Sequence, residues 1–284
     1  MGGLFGSNTY SETRAERINE FQLNQSSYGE FVPVIFGTTR LSPNVIDWAD
    51  FQSHEHREEQ TSGGKGGSKQ TNVSITYTYT VKAVLAICEG PISQIRKIWS
   101  DTDSYDNIAA LGLTLFPGTP GQTPWSGLRY FGTVEEGALH GSHWLPYSAL
   151  AYMAGEIDLG SSGSLPTINV EVKGMLADNG DGTDANPADV IAYIFSNGVN
   201  GVGMDAAALD NSSLERYRSF CQAADILIST PPDTQNKKAY EIVNDILSAT
   251  NSIGIWSQNR LKVIPLSDES ISANGATYTP DLTP

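Results

Sequence analysis

The sequence is poor in cysteine and in positive charge, and it lacks any long apolar run. Two cysteines in 284 residues are too few for a disulfide framework or a zinc site. Cys88 and Cys221 lie in apolar surroundings and are predicted to be reduced core residues. No apolar segment approaches the roughly 18–20 residues that span a bilayer, and the N-terminus lacks the features of a secretory signal. We therefore expect a protein made and folded in a reducing cytoplasm, without membrane insertion.

The shortage of positive charge limits the kinds of partner that the protein can bind. Lys and Arg number 17 against 32 Asp and Glu, which gives a net charge of −15. Affinity for nucleic acid comes mainly from Lys and Arg displacing counterions, and docking on anionic lipid needs the same charge. Both kinds of binding are therefore disfavoured. An apolar fraction of 39% is too high for a disordered chain, while 28 glycines and a charged fraction of 17% indicate turns and short strands.

The first part of the chain has the patterns of strands. Residues 73–81 alternate strictly between polar and apolar side chains and lead into an apolar run at 83–88, as in a strand that becomes buried on both faces. A turn over 89–92 would join this strand to the next in a hairpin-like block. We predict a β-rich domain over residues 31–175, with strands at 31–37, 44–51, 73–88, 95–99 and 168–174.

Three polar segments flank or interrupt this domain. Residues 1–30 are predicted to be an N-terminal arm, with a weak helical pattern over 11–23. Residues 55–71 contain glycine pairs and no apolar anchor, so they are predicted to be a mobile loop. Residues 176–186 are rich in Asp, Asn and Gly, which favours a hinge.

Beyond the hinge the pattern becomes helical, and residues 187–284 are predicted to be a small α+β module. Asn186 followed by Pro187 is typical of a helix start. Ser212 or Ser213 would cap a second helix, and a third would begin near Tyr240. A β-hairpin follows over 253–264. The predicted fold class is α+β and β-rich.

Motifs that carry chemistry are weak throughout. Residues 63–68 fail the phosphate-loop pattern, because Glu59 occupies the first glycine position and Gly66 follows the lysine. His54 and His56 would share one side of a strand, but the metalloprotease spacing is absent, so a solvated polar edge is favoured.

The remaining candidate sites fail in similar ways. Residues 178–184 depart from a calcium loop, because Gly180 and Gly182 stand where ligands are needed. No nucleophile elbow is found. We predict no enzyme, with no catalytic, cofactor-binding or metal residues and no cofactor. Paired carboxylates of a glycoside hydrolase have no sequence signature, so a cell-wall hydrolase stays open as a less favoured alternative.

Several segments in order along residues 30–284 resemble phage tail-tip (baseplate hub) proteins. This family includes the hub region of the lambda tail-tip protein, hubs of contractile tails and tail hubs of gene transfer agents. The resembling segments are 31–40, 44–48, 77–79, 86–92, 112–119, 158–162, 186–190 and 249–252.

The resemblance implies a structural, non-enzymatic protein of the virion tail tip, assembled in the bacterial cytoplasm. It implies a homotrimeric ring with hub-type β-barrel or split-barrel domains. The ring would close the tail tube, adapt a six-fold tube to a three-fold tip and gate genome passage. Implied partners are the distal tail protein, the tape measure protein and tip or fibre proteins. Family members are commonly longer, so we expect a fragment, a split gene or a shortened hub.

Two further hypotheses accompany the resemblance. An acidic ring would repel DNA, so that the genome passes through the lumen without specific binding. Alternatively, the chain is a receptor- or glycan-binding tail protein in which exposed aromatic residues stack on sugar rings; the candidates are Trp125, Tyr130 and Trp144. An ordinary core position is the favoured interpretation of these aromatics.

Overall fold

The computed structural model describes residues 9–21, 32–63, 69–128, 147–177, 180–229 and 237–281. Within these ranges the chain is β-rich with three α-helices, which confirms the predicted α+β class. The strands are β1 (Thr9–Arg14), β2 (Thr38–Leu41), β3 (Asn44–Ser62), β4 (Gln70–Glu89), β5 (Gln94–Ser100), β6 (Asp103–Tyr105), β7 (Leu113–Pro117), β8 (Leu150–Gly160), β9 (Ile168–Lys173), β10 (Ser252–Ser257), β11 (Arg260–Pro265), β12 (Ile271–Ala273) and β13 (Ala276–Tyr278). The helices are α1 (Pro187–Ser196), α2 (Asn211–Ala223) and α3 (Ala239–Ala249).

A five-stranded sheet is built around β4. On one side β4 pairs antiparallel with β3 over almost its whole length. On the other side it pairs first with β1, in parallel, and then with β8, which continues the sheet to β7. The residues of β4 from Ala83 to Cys88 are all buried. The prediction of a strand that becomes buried on both faces is therefore confirmed.

A second sheet has the strand order β2-β9-β5-β6 and is antiparallel throughout. Its inner face packs against the first sheet around one core, to which β9 contributes Ile168, Val170 and Val172. Among the described residues no sheet closes on itself, and the barrel inferred from the family resemblance stays a prediction.

The helical module has its own core, to which α1 contributes Ile191 and α2 contributes Tyr217. The residues that cap its helices were predicted in part. Asn186 caps α1 by accepting a hydrogen bond from the Ala188 N–H, and Pro187 is the first helical residue, as predicted. The cap of α2 differs from the prediction: it is Asp210, whose carboxylate accepts from the Ser213 N–H at 2.9 Å. Ser213 lies inside the helix because Asp210, three residues earlier, already supplies the capping oxygen.

Two β-hairpins complete the module. The predicted hairpin is present as β10 and β11. A second one, β12 and β13, was not predicted, although Asn274 and Gly275 at its turn both have positive φ. Asn-Gly is the sequence most typical of a two-residue hairpin turn. None of the described helices is long and apolar enough to span a membrane.

The polar segments differ most from their predictions. Residues 55–62 and 70–71 belong to β3 and β4, so the predicted loop over 55–71 is wrong there; residues 64–68 lie outside the described residues. The arm forms a strand over 9–14 instead of the helical pattern. In both cases backbone pairing with β4 supplies the structure, and no apolar anchor within the segment is required.

The path after β4 also differs from the predicted block. The predicted strands β4 and β5 exist, but β5 pairs with β9 and β6 in the other sheet. Residues 32–37 form only isolated bridges, at Val34 with Glu89 and at Phe36 with Met175. Val34 and Phe36 pack with side chains of α1 and α3. The division into domains at 176–186 stays a prediction.

Candidate functional site

Three of the segments that resemble the hub family meet in space, although they are far apart in sequence. The Glu89 N–H donates to the Pro33 carbonyl at 2.9 Å, and the Ile92 N–H donates to the Pro117 carbonyl at 2.9 Å. We call the meeting point of residues 33–34, 89–92 and 117–118 the junction. It joins the end of β4 to the end of β7 and to the chain before β2.

Two glycines allow the backbones of the junction to approach closely. A Cβ atom on Gly90 would lie 2.8 Å from the Gly118 Cα, and Gly118 itself has φ +84°. Gln122 fixes the same region, because its side chain accepts from the Gly118 N–H and donates to the Leu150 carbonyl, both at 2.9 Å. A side chain at either glycine would therefore force the strands apart.

Glu89 connects the junction to the helical module. Burial raises the pKa of its carboxyl group, and a hydrogen bond from the Asn200 side chain opposes that shift. Asn200 lies in the segment after α1. One half-buried carboxylate with an amide partner is suited to holding two parts of the fold together.

A second connection ties the predicted hinge to β2. The Ser229 hydroxyl donates to the Asp184 carboxylate and accepts from the Thr38 N–H at 2.8 Å. Asp181 accepts from the N–H groups of Thr183 and Asp184, both at 2.7 Å, and these bonds lower its pKa. This geometry is that of a turn stabilised by its own aspartate. Residues 178 and 179 lie outside the described residues.

His54 and His56 lie on the exposed face of β3, and their spacing of two residues places them on the same side of the strand. His54 and His56 contact the hydroxyls of Thr80 and Thr78 across the sheet, at 3.0 and 2.7 Å. Within the described part of the chain no group of three or more His, Cys, Asp or Glu side chains is arranged to hold a metal ion. The two rings take part in a polar cross-strand ladder.

The cysteines and the described aromatic candidate are packed. Cys88 and Cys221 are free and buried, and burial raises the pKa of each thiol to about 12. Trp125 is half-buried and packs against the cluster of Val84 and Tyr152. Residues 130 and 144, the other two aromatic candidates, lie outside the described residues.

An apolar groove on the module was not found from the sequence. It lies between α1, α3 and β10, and has a volume of about 380 Å³. Trp256 and Tyr240 border it and are 56% and 60% exposed. Exposed aromatic residues beside an apolar depression are typical of protein contact surfaces. The sequence predicted a helix beginning near Tyr240, and no local signal distinguished the exposed end of that helix.

Comparison with known proteins gives a structural likeness. No protein-family model matches the chain, and no curated protein matches it. A chain in the virion of a native gene transfer agent (GTA) particle is similar over 87% of this chain, with a TM-score of 0.43 and 16% sequence identity. This chain covers 56% of that one.

Proposed function

We propose that this protein is a structural component of a phage-type virion, in the hub at the tail tip. The observation that carries the proposal is the ordered series of segments that resemble hub proteins, three of which meet at the junction. Segments that share an ancestral fold are expected to keep such contacts, whereas chance similarities would be scattered over the surface. The Glu89 N–H donates to the Pro33 carbonyl and the Ile92 N–H donates to the Pro117 carbonyl, in each case across tens of residues of sequence.

The proposed assembly is a homotrimeric ring that closes the tail tube. It would adapt the six-fold tube to the three-fold tip and gate genome passage, with β-barrel or split-barrel domains completed in the assembly. Its partners would be the distal tail protein, the tape measure protein and the tip or fibre proteins. The net charge of −15 supports a lumen that repels DNA, since like charge prevents the genome from adhering.

The proposed role is non-enzymatic. Cys88 and Cys221 are buried with raised pKa values, so neither is suited to act as a nucleophile. The alternative role is binding a receptor or glycan. Its aromatic candidate within the described residues is Trp125, which packs against the Tyr152 cluster. These observations favour assembly over recognition of sugar.

The proposal is tested by locating the chain in particles. Virions from a culture that encodes the protein would be labelled with an antibody and viewed by electron microscopy, and its copy number measured by quantitative mass spectrometry. We expect label at the end of the tail and three copies per particle. Label on the capsid, or absence of the chain from purified particles, would refute the proposal.

A further inference from the structure

The outer face of the four-stranded sheet is unusual in an acidic protein. In β9, Ile168, Val170 and Val172 face the core, so Glu171 lies on the opposite, outer face. Glu171 pairs across the sheet with Arg40 of β2 on one side and with Lys97 of β5 on the other. Two cationic side chains therefore lie beside it on the same face.

Further contacts bring a third cation and an aromatic ring into this group. The Arg40 guanidinium lies 4.0 Å from the centre of the Trp99 ring, and the Lys97 ammonium lies 5.7 Å from it. Arg96 Nε lies 3.6 Å from the Glu171 carboxylate. We call Arg40, Arg96, Lys97, Trp99 and Glu171 the cationic face. Its three cations and one carboxylate sum to +2, so the rest of the chain carries −15 − 2 = −17.

The charge of this face is available to a partner. Arg40 and Arg96 are exposed, and the one ion pair on the face has both side chains solvated, at 42% and 36%. Exposed pairs of this kind are weak, because water screens them. The Arg96–Glu171 pair therefore leaves the field of the other cations in place.

A complementary surface lies where one end of this sheet meets β8 of the five-stranded sheet. Residues 100–112 and 150–168 contain no Lys or Arg, and both stretches line one depression next to Ser100. Lys82 of β4 lies opposite Glu156 and forms an ion pair with Asp50 at 2.9 Å. The exposed carboxylates in these stretches form what we call the acidic surface: Asp101, Asp103, Asp106, Glu156 and Asp158.

We propose that the cationic face of one copy binds the acidic surface of a second copy. The two surfaces are different parts of the chain, so the contact is heterologous. A heterologous contact generates a closed ring when its rotation closes, whereas a contact of a surface with itself stops at a dimer. The inference rests on the proposed ring and names the surfaces that build it.

Charge complementarity favours a protein surface over nucleic acid as the occupant. Affinity for DNA comes mainly from Lys and Arg that neutralise phosphates, and the cationic face has only three cations around one carboxylate. Arg40 already covers the Trp99 ring, which makes the ring a poor platform for stacking a base. The rest of the chain, at −17, would also repel a polyanion.

The test measures self-association of the full chain by sedimentation equilibrium at low and high salt. Three variants are compared with the natural sequence. R40E/K97E reverses the cationic face and changes the net charge to −19. R17E/R57E makes the same change at two exposed arginines elsewhere. R40E/K97E/D103K/D106K reverses two charges on each surface and restores −15.

We expect R40E/K97E to weaken association about tenfold or more and the control R17E/R57E to have a much smaller effect. The fourfold variant should recover part of the loss, because it lowers the acidic surface from five negative charges to a net of one. Salt should weaken the natural contact, because exposed charges are screened. Association that R40E/K97E leaves unchanged would refute these surfaces while leaving the ring intact. A natural chain that stays monomeric, or one that binds duplex DNA through this face, would also overturn the inference. Particle labelling tests the proposed function independently of these outcomes.

Discussion

The ion pair between Asp189 and Arg218 gives a prediction with a worked magnitude. Asp189 lies in the first turn of α1, and its carboxylate is 2.7 Å from the Arg218 guanidinium of α2. The Asp189 side chain is 10% exposed and the Arg218 side chain 30%. Burial raises the pKa of Asp189, and the charge of Arg218 opposes that shift. Arg218→Met would leave a buried carboxylate without its cation.

The expected loss of unfolding free energy follows from the burial of the Asp189 carboxylate. Breaking a fully buried pair costs about 3–5 kcal/mol, and the partial exposure of Arg218 reduces the expected loss in unfolding free energy to about 2–3 kcal/mol. Asn186 donates to the backbone carbonyl of residue 218 at 3.1 Å, and this bond survives the substitution. Arg218 also pairs with Glu215 at 3.4 Å, but the Glu215 side chain is 67% exposed, and exposed pairs are weak. Most of the loss can therefore be assigned to the charge of Asp189.

The assay is urea unfolding followed by tryptophan fluorescence, at several pH values. A carboxyl group whose folded pKa is raised stabilises the fold at pH below its unfolded pKa, and this contribution is lost as the pH rises through the folded pKa. Removing Arg218 raises the folded pKa of Asp189 further. The difference between Arg218→Met and the natural chain should thus be largest near neutral pH and shrink as the pH falls towards 3.8, the ordinary value for Asp189.

Asp189→Asn supplies the matched control. In that background Arg218→Met should cost little and its effect should not depend on pH, so the double-mutant cycle isolates the pair. A loss below about 0.5 kcal/mol for Arg218→Met alone, or a loss that is equal at all pH values, would refute the reasoning.

Three shorter predictions concern other parts of the fold. Gly90→Ala should destabilise the chain by several kcal/mol or prevent folding, because its Cβ would meet Gly118; a thermal melt equal to that of the natural chain would contradict this. Cys88 and Cys221 should stay unmodified by iodoacetamide at pH 8 in the native chain and react after unfolding, as mass spectrometry would show, since burial raises both pKa values to about 12. Asp210→Ala should lose about 1 kcal/mol of unfolding free energy by removing the cap of α2, whereas Asp210→Ser should retain most of it.

The sequence predicts elements with strong local patterns. The alternation in β4 and the Asn186-Pro187 start of α1 are such patterns, and both are present in the structure. Each depends on neighbours within a few residues, so a short window contains the needed information.

Features that depend on distant pairing could not be predicted in the same way. Residues 55–62 have no apolar pattern, and they form a strand because β4 supplies backbone partners along their whole length. The junction needs three segments to meet, and its close backbone approach shows only once Gly90 and Gly118 are opposed. The cationic face combines Arg40 with Lys97, which belong to different strands on either side of β9. The negative net charge of the whole chain gives no sign that one face is positively charged.

The central claim, a trimeric structural ring, is tested most directly by native mass spectrometry of the purified chain over a range of concentrations. One copy has a mass of 30.5 kDa, so a trimer would have a mass of 3 × 30.5 = 91.5 kDa. The account predicts a species at 91.5 kDa that grows with concentration and weakens with salt. A single species at 30.5 kDa at every concentration would contradict it.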